Sequence, residues 1–390
     1  MTGKEIKELI FRHSLEVVPL QIEGELYYKT KNPHIFSRKK EYYSRKDSRP
    51  VKDPYRANNL VASAFMKLLV DQKVNYSINA KTTVDGDDSI LEKNLVLKYF
   101  RNYLQKVAKE ASNKYYGVLQ FYVNEKGQFD YKVIPSEQVI RVPNGLDRSI
   151  TDAVIRYYTL GDKLIAEYWD KETVTFYEFN QDNQEYIKKS SEAHFETVVT
   201  SVGSTAKKSG SWGKPPFAFL YNNDEMQRDL DPVLPLIKVY DVILSDFANN
   251  LEDFQDIYWV LKNYGGQDVD EFMEEVKRYK AIKTGDGGEA SAEKIDIPHE
   301  ARDKMLGLLE KLIYKFGRGV NADDVEGNVT NVRIKSLYSG LDLKANEFEI
   351  QVQVFFDQVL EMLSIYLKST LDIRSIDLVF KRDLVINKDE

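Results

Sequence analysis

Between Leu236 and Lys262 the chain reads LIKVYDVILSDFANNLEDFQDIYWVLK, without a glycine or a proline. Ile237, Tyr240, Leu244, Phe247, Leu251, Phe254, Tyr258 and Leu261 recur at spacings of three and four. That period predicts one long helix over 232–262 whose apolar seam packs on a neighbouring helix. Asp231 caps its start, and Pro232 and Pro235 fall in its first turns. Lys238, Asp241, Ser245, Asn249, Glu252 and Asp256 form a second, mostly acidic stripe on the other side. By pattern alone, an ordinary surface helix has the same appearance.

The elements around this helix restrict the fold further. Residues 3–18 read as a short helix, 56–78 as a helix running into a strand, and 90–113 as an amphipathic helix bearing Leu91, Leu95, Leu97, Tyr99, Phe100 and Leu104. The period then becomes two. A hairpin turning at Glu125–Lys126–Gly127 leads into a meander of aromatic and β-branched strands up to about residue 180. Residues 190–216 read as irregular, and FAFLYNN as a last strand. Beyond 231 the chain is mostly helical. A small α/β insert covers 266–297, and a second helix covers 299–317 with Met305, Leu308, Leu309, Leu312, Ile313 and Phe316 on one stripe. The Gly- and Asn-rich segment GRGVNADDVEGNVTN follows at 317–331. A third long helix covers 332–368, with Gly340 as a possible kink, and a strand lies at 375–387. This is an α+β chain, and no internal repeat is visible.

Composition excludes several functions. No cysteine is present, which rules out disulfides, thiolate metal sites and thiol catalysis. His13, His34, His194 and His299 lie far apart and outside any metal or triad motif. GDGGEA at 285–290 lacks the Lys-Ser/Thr of a P-loop, and nothing places Asp87/Asp88 or Asp323/Asp324 in a pocket. No enzyme, metal or cofactor is expected. The formal net charge of -7 argues against wrapping nucleic acid through a basic face, although it permits loose contact with DNA. FSRKKEYYSRKDSRPVK at 36–52 is basic, and reads either as a solvated arm or as a nucleic-acid arm. The N-terminal segment lacks a signal peptide's apolar core, and no charge-free apolar run approaches the about 18 residues of a membrane span.

The order of elements, and several strings within them, resemble the portal proteins of long-tailed bacteriophages, in the branch common in phages of Gram-positive hosts. The resemblance covers about residues 50–387. NNLVASAFMKLLVDQKVNYSI is similar to the family's early helix and DxKVxY strand. NKYYGVLQFYVNEKGQFDYKVIPSEQVIRV is similar to its GxAYxxVYxDxxGxxxxxxIxPxEVI stretch. The strongest match is PPFAFLYNNDEMQRDLDPVLPLIKVYDVILSDFANNLEDFQDIYWVLKNYGG, with paired Asn, an acidic spacer and the long helix. IKSLYSGLDLKANEFE and VFKRDLVINKDE resemble the later helix and strand. The chain departs from the pattern at SINAKTT, where a Gly-x-Pro is usual, and at VTNVRIKS, where Ser-Gly is usual. It also stops just after the final strand, which implies a short or absent C-terminal crown.

The resemblance implies a ring, typically of twelve subunits, at one capsid vertex: the conduit for DNA packaging and exit, and the platform for the tail. It implies as partners the large terminase, the major capsid and scaffolding proteins, a head-completion adaptor and double-stranded DNA bound without sequence preference, with no membrane. It places the chain in the virion, and in the host cytoplasm during assembly. Residues 1–231 would be a β-rich wing, 232–262 and 299–317 the stem, 263–298 the clip, 318–331 the tunnel loop, 332–370 the long helix and 371–390 a wing strand. Arg318, Asn321, Asp323, Asp324, Glu326, Asn328 and Asn331 would then line the channel at the loop. Lys238, Asp241, Ser245, Asn249, Glu252 and Asp256 would face it from the stem. Ile237, Tyr240, Leu244, Phe247, Leu251, Phe254 and Tyr258 would pack stem on stem, and Lys283, Asp286, Glu289, Glu293 and Lys294 would meet partners at the clip. Another virion structural protein without a channel is the alternative.

Overall fold

The computed structural model describes residues 1–39, 41–44, 49–52, 57–86, 91, 95, 97–201, 204–253, 258–262, 289–293, 299–321, 323, 331–368 and 371–382. These fall into two compact units. The first comprises residues 1–33, 63–237 and 311–390, and the second 34–62 and 238–310. Residues 34–62 therefore group with 238–310 rather than with the rest of 1–231.

The first unit begins with α1 (Gly3–Glu16) and α2 (Val18–Tyr28). A capping box opens α1: the Glu5 N–H donates to Thr2 Oγ1 (3.3 Å) and the Thr2 N–H to Glu5 Oε2 (2.7 Å). Pro19 lies in the first turn of α2, where its missing N–H costs nothing. Helix α3 (Pro33–Phe36) and the short β1/β2 pair (Glu41–Ser44 with Arg49–Lys52) follow. Helix α4 then spans Phe65–Ser77. It is helical through DQKVNYS, where a strand was expected, while 57–64 is neither helix nor strand, where helix was expected. Leu69, Val70, Lys73, Val74 and Ser77 are all buried at helical spacing, and that burial overrides the β-branched valines.

After β3 (Thr83–Asp85), the amphipathic α5 (Leu97–Lys114) packs on β4 (Tyr116–Val123). β4 lies between β5 (Phe129–Ile134) and β13 (Phe217–Tyr221) in a three-stranded antiparallel sheet. The meander forms a five-stranded sheet: β6 (Val139–Pro143), β7 (Thr151–Leu160), β8 (Lys163–Trp169), β9 (Thr173–Asn180) and β10 (Glu185–Ala193) in sequence order. Ile6 of α1 is buried on one face of it, against Ile155, Ala166, Tyr177 and Tyr186. The segment expected to be irregular is instead β10 together with a hairpin of β11 (Phe195–Ser201) and β12 (Ser204–Gly210). Phe195 to Ser201 pairs with Ser204 to Gly210 in unbroken register, although its Ser and Lys content shows no apolar alternation.

Two helices lead into and out of the second unit: α6 (Leu234–Asp253) and α7 (His299–Gly317). The predicted helix to 262 stops early. Tyr258–Lys262 is strand β14, paired with β15 (Glu289–Glu293), so Tyr258 and Leu261 leave the helical seam. The run YWVLK is aromatic and β-branched, and it takes the ladder that its propensity favours. Helix α8 (Asn331–Leu367) then runs without interruption through Gly340, and β16 (Asp377–Val379) pairs with β3.

Glutamines on α8 complete the backbone hydrogen bonding of these strands. Gln358 accepts from the Phe219 N–H (3.0 Å) and donates to its carbonyl (3.1 Å), at the edge strand β13. Gln353 accepts from the Leu378 N–H (2.9 Å) on β16. Unpaired edge groups are costly when buried, and a side-chain amide carries one donor face and one acceptor face to match them.

Lys114, at the end of α5, is nearly inaccessible and is held by Glu25 (2.7 Å), Glu110 (3.0 Å) and Glu137 (2.8 Å). Burial pulls the ammonium pKa down, but the three carboxylates outweigh it and hold the pKa above the ordinary lysine value. Nearby, α2 and α5 touch so closely that a Cβ on Gly24 would sit 2.0 Å from the Asn113 carbonyl oxygen. Lys114→Met leaves the acids facing one another and should lower unfolding stability at pH 7 by about 3 kcal/mol. The pKa of Glu25 is lowered in the folded chain, so its contribution is present above the ordinary carboxylate range and fades as pH falls. The difference between wild type and variant in urea midpoint should therefore narrow toward pH 4.

Candidate functional site

Within the second unit, the polar stripe of α6 faces its own chain. Ser245 Oγ accepts from the Val61 N–H (3.0 Å) and donates to the Val61 carbonyl (3.2 Å). Asn249 does the same to Asn59, accepting at 2.5 Å and donating at 3.3 Å. Glu252 accepts from Asn59 Nδ2 (2.5 Å), and Arg38 reaches Asp246 (3.0 Å). Asp241 is fully buried, with His34 Nε2 3.5 Å from its carboxylate. Burial holds the His34 imidazole below its ordinary pKa, against the pull of Asp241. Asp241, Ser245 and Asn249 thus form a ladder that holds residues 57–61 and the α3 segment, which corrects their assignment to an open channel face. Lys238 is half-buried and Glu252 exposed; Asp256 lies outside the described residues.

The apolar seam of the same helix is the more open side. Ile237 is buried and Tyr240, Leu244 and Phe247 are half-buried, while Leu251 is 51% exposed. Phe254 lies outside the described residues. On α7, Leu309 and Ile313 are buried, but Met305, Leu308 and Phe316 are exposed. On α8, Leu343, Ile350 and Val354, spaced by seven and four, are exposed as well.

Within the first unit, the segment at 317–321 is fixed rather than free. Helix α7 ends in a Schellman motif: the Gly319 N–H bonds the Tyr314 carbonyl (2.9 Å) and the Arg318 N–H the Lys315 carbonyl (3.4 Å). Arg318, not a glycine, takes the left-handed position at φ 52°. Its guanidinium makes two bonds to Glu347 of α8 (2.8 and 2.9 Å), which offset that conformational cost. Lys344 donates to the Gly317 carbonyl (2.9 Å). Gln72 of α4 donates to the Val320 carbonyl (2.7 Å) and accepts from its N–H (3.1 Å). The Val320 side chain is buried among Tyr76, Leu341 and Ala345. Asn321 Oδ1 accepts from the Asp323 N–H (3.2 Å), and Asp323 is exposed. Asn331 is the first residue of α8 rather than part of the loop. Asp324, Glu326 and Asn328 lie outside the described residues.

A buried ionic cluster supports this region. The Asp229 carboxylate lies 2.7 Å from the Lys73 ammonium and 3.4 Å from that of Lys344. Asn222 accepts from Lys73 (2.6 Å) and donates to Asp229 (3.1 Å). Burial raises the Asp229 pKa, but Lys344 and Lys73 more than offset that and hold it at about 2. Burial lowers the Lys73 pKa to about 8, although Asp229 pulls it up. Gln72, Lys73, Asp229, Lys344 and Glu347 escaped the reading by periodicity, which registers polar helix positions as solvent-facing. The only signal was the paired Asn at 222–223 before an acidic spacer. At the insert, Glu289 and Glu293 sit on β15 opposite Lys262 and Tyr258, and Lys283, Asp286 and Lys294 lie outside the described residues.

Asp241, Ser245 and Asn249 of α6 are thus engaged internally, apolar residues of α6, α7 and α8 are exposed, and no metal-ligating cluster occurs among the described residues. No helix among them is long and apolar enough to cross a membrane. The family of phage portal proteins, SPP1 Gp6-like, matches residues 9–390, and the chain belongs to it. It is 30% identical over 388 residues to the portal protein of Clostridium phage phiCD119, covering 94% of this chain and 83% of that protein. It is 30% identical over 380 residues to the portal protein of Bacillus phage SPP1, covering 94% and 73%. Among solved structures, a chain from the neck of an empty GTA particle aligns with a TM-score of 0.47 at 11% identity, covering 84% of this chain and 83% of that one. The protein is therefore a structural component of a phage virion: the portal ring at the capsid vertex, through which DNA passes and to which the tail attaches.

Asn249→Leu removes both bonds to Asn59 while keeping helix propensity. Two lost hydrogen bonds amount to about 2 kcal/mol, so amide hydrogen exchange of the peptide covering 57–61 should accelerate about tenfold or more while the helical circular-dichroism signal stays unchanged.

Proposed function

We propose that this chain assembles a ring of twelve copies in which the open apolar faces of α6, α7 and α8 pack between neighbouring subunits. The observation that carries this reading is the exposure of Leu251, Met305, Leu308, Leu343, Ile350 and Val354 on three long helices. Apolar stripes left open on a soluble chain mark association surfaces. A closed ring places a different patch on each side of the subunit, so these stripes pair heterologously.

Residues 321–330 line the channel, contributing Asn321, Asp323, Asp324, Glu326 and Asn328, and the sequence 317–331 carries one cation, Arg318, which Glu347 engages. Each phosphate neutralised by a protein cation adds affinity, so an acidic ring lets DNA pass without being gripped. Residues 263–298, rooted in the β14–β15 ladder, are the clip that meets terminase during packaging and the head-completion adaptor afterwards. The first unit meets the capsid and scaffolding proteins. ATP hydrolysis resides in the terminase, not in this chain.

Asp323→Lys combined with Asp324→Lys adds two cations per subunit around the whole ring. Negative-stain imaging should show intact rings. Packaging of a standard DNA substrate should slow or stall, more severely at low salt, because the added phosphate contacts are salt-dependent. Packaging at the wild-type rate and length in 50 mM salt would remove residues 321–330 from the channel.

A further inference from the structure

The two larger sheets of the first unit share an apolar core that holds Val118, Ile134, Val154 and Trp169. Val118 and Ile134 are cross-strand partners on β4 and β5, and Val154 and Trp169 are partners on β7 and β8. Side chains two positions apart on a strand share a face. The next pair on those same faces is therefore Gln120 with Lys132 on one sheet and Arg156 with Glu167 on the other. Apolar packing gives way there to a polar layer whose bonding is incomplete. Glu167 is buried and already accepts from the Tyr158 hydroxyl (2.8 Å) and the Trp169 indole N–H (3.0 Å), so Arg156 Nη1 meets it only at 3.4 Å. Arg156 Nε and Gln120 Oε1 are buried with no hydrogen-bond partner. Partial burial and the neighbouring Arg156 lower the Lys132 ammonium pKa, against the pull of Glu167. Two cations thus share one carboxylate that is already bonded elsewhere, and a buried donor without an acceptor is costly. A water could bridge Arg156 Nε and Gln120 Oε1, but it would leave the excess positive charge unanswered.

We infer that this layer is a docking site for an acidic side chain of a protein partner, whose carboxylate seats between the Lys132 ammonium and the Arg156 guanidinium. The guanidinium selects the group. Its Nε and Nη2 form a planar fork that matches the two oxygens of a carboxylate. Arg156 spends Nη1 on Glu167 and leaves that other edge unbonded. The Tyr158 ring lies 4.5 Å from the guanidinium and supports its plane. Lys132 is exposed, so the layer is approached past its side chain. Two cations within a chain of net charge -7 suit one carboxylate better than the long phosphate run of a duplex. None of these residues belongs to the ring contacts or the channel proposed above.

A fluorescein-labelled octaglutamate peptide should bind purified rings, as read by fluorescence polarisation, and its affinity should fall as salt rises. Arg156→Met should weaken binding about tenfold or more, because it removes charge-assisted bonds. Lys132→Met should weaken it by a smaller factor. Arg156→Lys keeps the charge without the fork and should fall between wild type and Arg156→Met. Ring size and melting temperature should stay those of wild type. Absence of binding to wild-type rings, or undiminished affinity in Arg156→Met and Lys132→Met, overturns the site. If Arg156→Met lowers the melting temperature, Lys132→Met at its exposed position decides alone, and unchanged affinity there overturns the site. Tighter binding of a short DNA duplex at the same two residues overturns the assignment to an acidic protein partner.

Discussion

The Asp229 carboxylate is the point on which the first unit depends. It lies between Lys73 of α4 and Lys344 of α8, in the segment that joins β13 to α6. Asn222, at the end of β13, closes the cluster by bonding both Lys73 and Asp229. Two ammonium groups and one carboxylate withdrawn from water cost several kcal/mol per ion unless each is bonded. Lys344 meets that requirement by spending a further proton on the Gly317 carbonyl, the end of α7. Four segments distant in sequence are thereby held by one cluster. Replacing Asp229 alone leaves two buried cations, whereas an apolar pair could not also cap α7.

A second constraint recurs at every scale of the fold: backbone groups that no ladder or helix completes must still be bonded. Helix side chains do this repeatedly. Gln358 serves Phe219, Gln353 serves Leu378, Gln72 serves Val320, Asn249 serves Asn59 and Ser245 serves Val61. In each case a short polar group presents the pattern of one backbone residue to another. Helices can therefore hold extended chain without a further strand, at the cost of committing their own polar stripes to the interior.

That commitment explains what was legible in the sequence and what was not. The meander was legible because alternation of buried aromatics and polar residues has only one structural reading. Helices α6, α7 and α8 were legible because their periods are long and uninterrupted. The family resemblance added the function, which no periodicity contains. The burial of Asp241, Ser245 and Asn249 was not read, since a period of three and four defines two faces without saying which neighbour covers each. Asn249 is engaged by Asn59, 190 residues earlier in the chain, and a residue that distant leaves no trace in local pattern. The strand at Tyr258–Lys262 was missed because the apolar period of the preceding helix runs into it in phase. Gln72 and Lys73 were missed because a polar residue on an amphipathic helix looks solvated until its partner is known.

The burial of Asp241, Ser245 and Asn249 also bears on how a ring of this chain can both hold together and let DNA slide. Assembly needs surface that is worth burying, and transport needs surface that is not attractive to phosphate. A polar helix stripe left open could serve neither need well: hydrogen bonds gained between subunits merely replace those made with water, while open lysines would grip the passing duplex. Engaging Asp241, Ser245 and Asn249 internally removes that stripe from both roles. The exposed apolar positions on α6, α7 and α8 remain for association, driven by area removed from water. In the function proposed above, contact with DNA would fall to a short acidic segment that follows Arg318 and Val320, which are bonded to α8 and α4. On this argument the cohesion of the ring and the slipperiness of its channel are set by different residues, so either can change without the other.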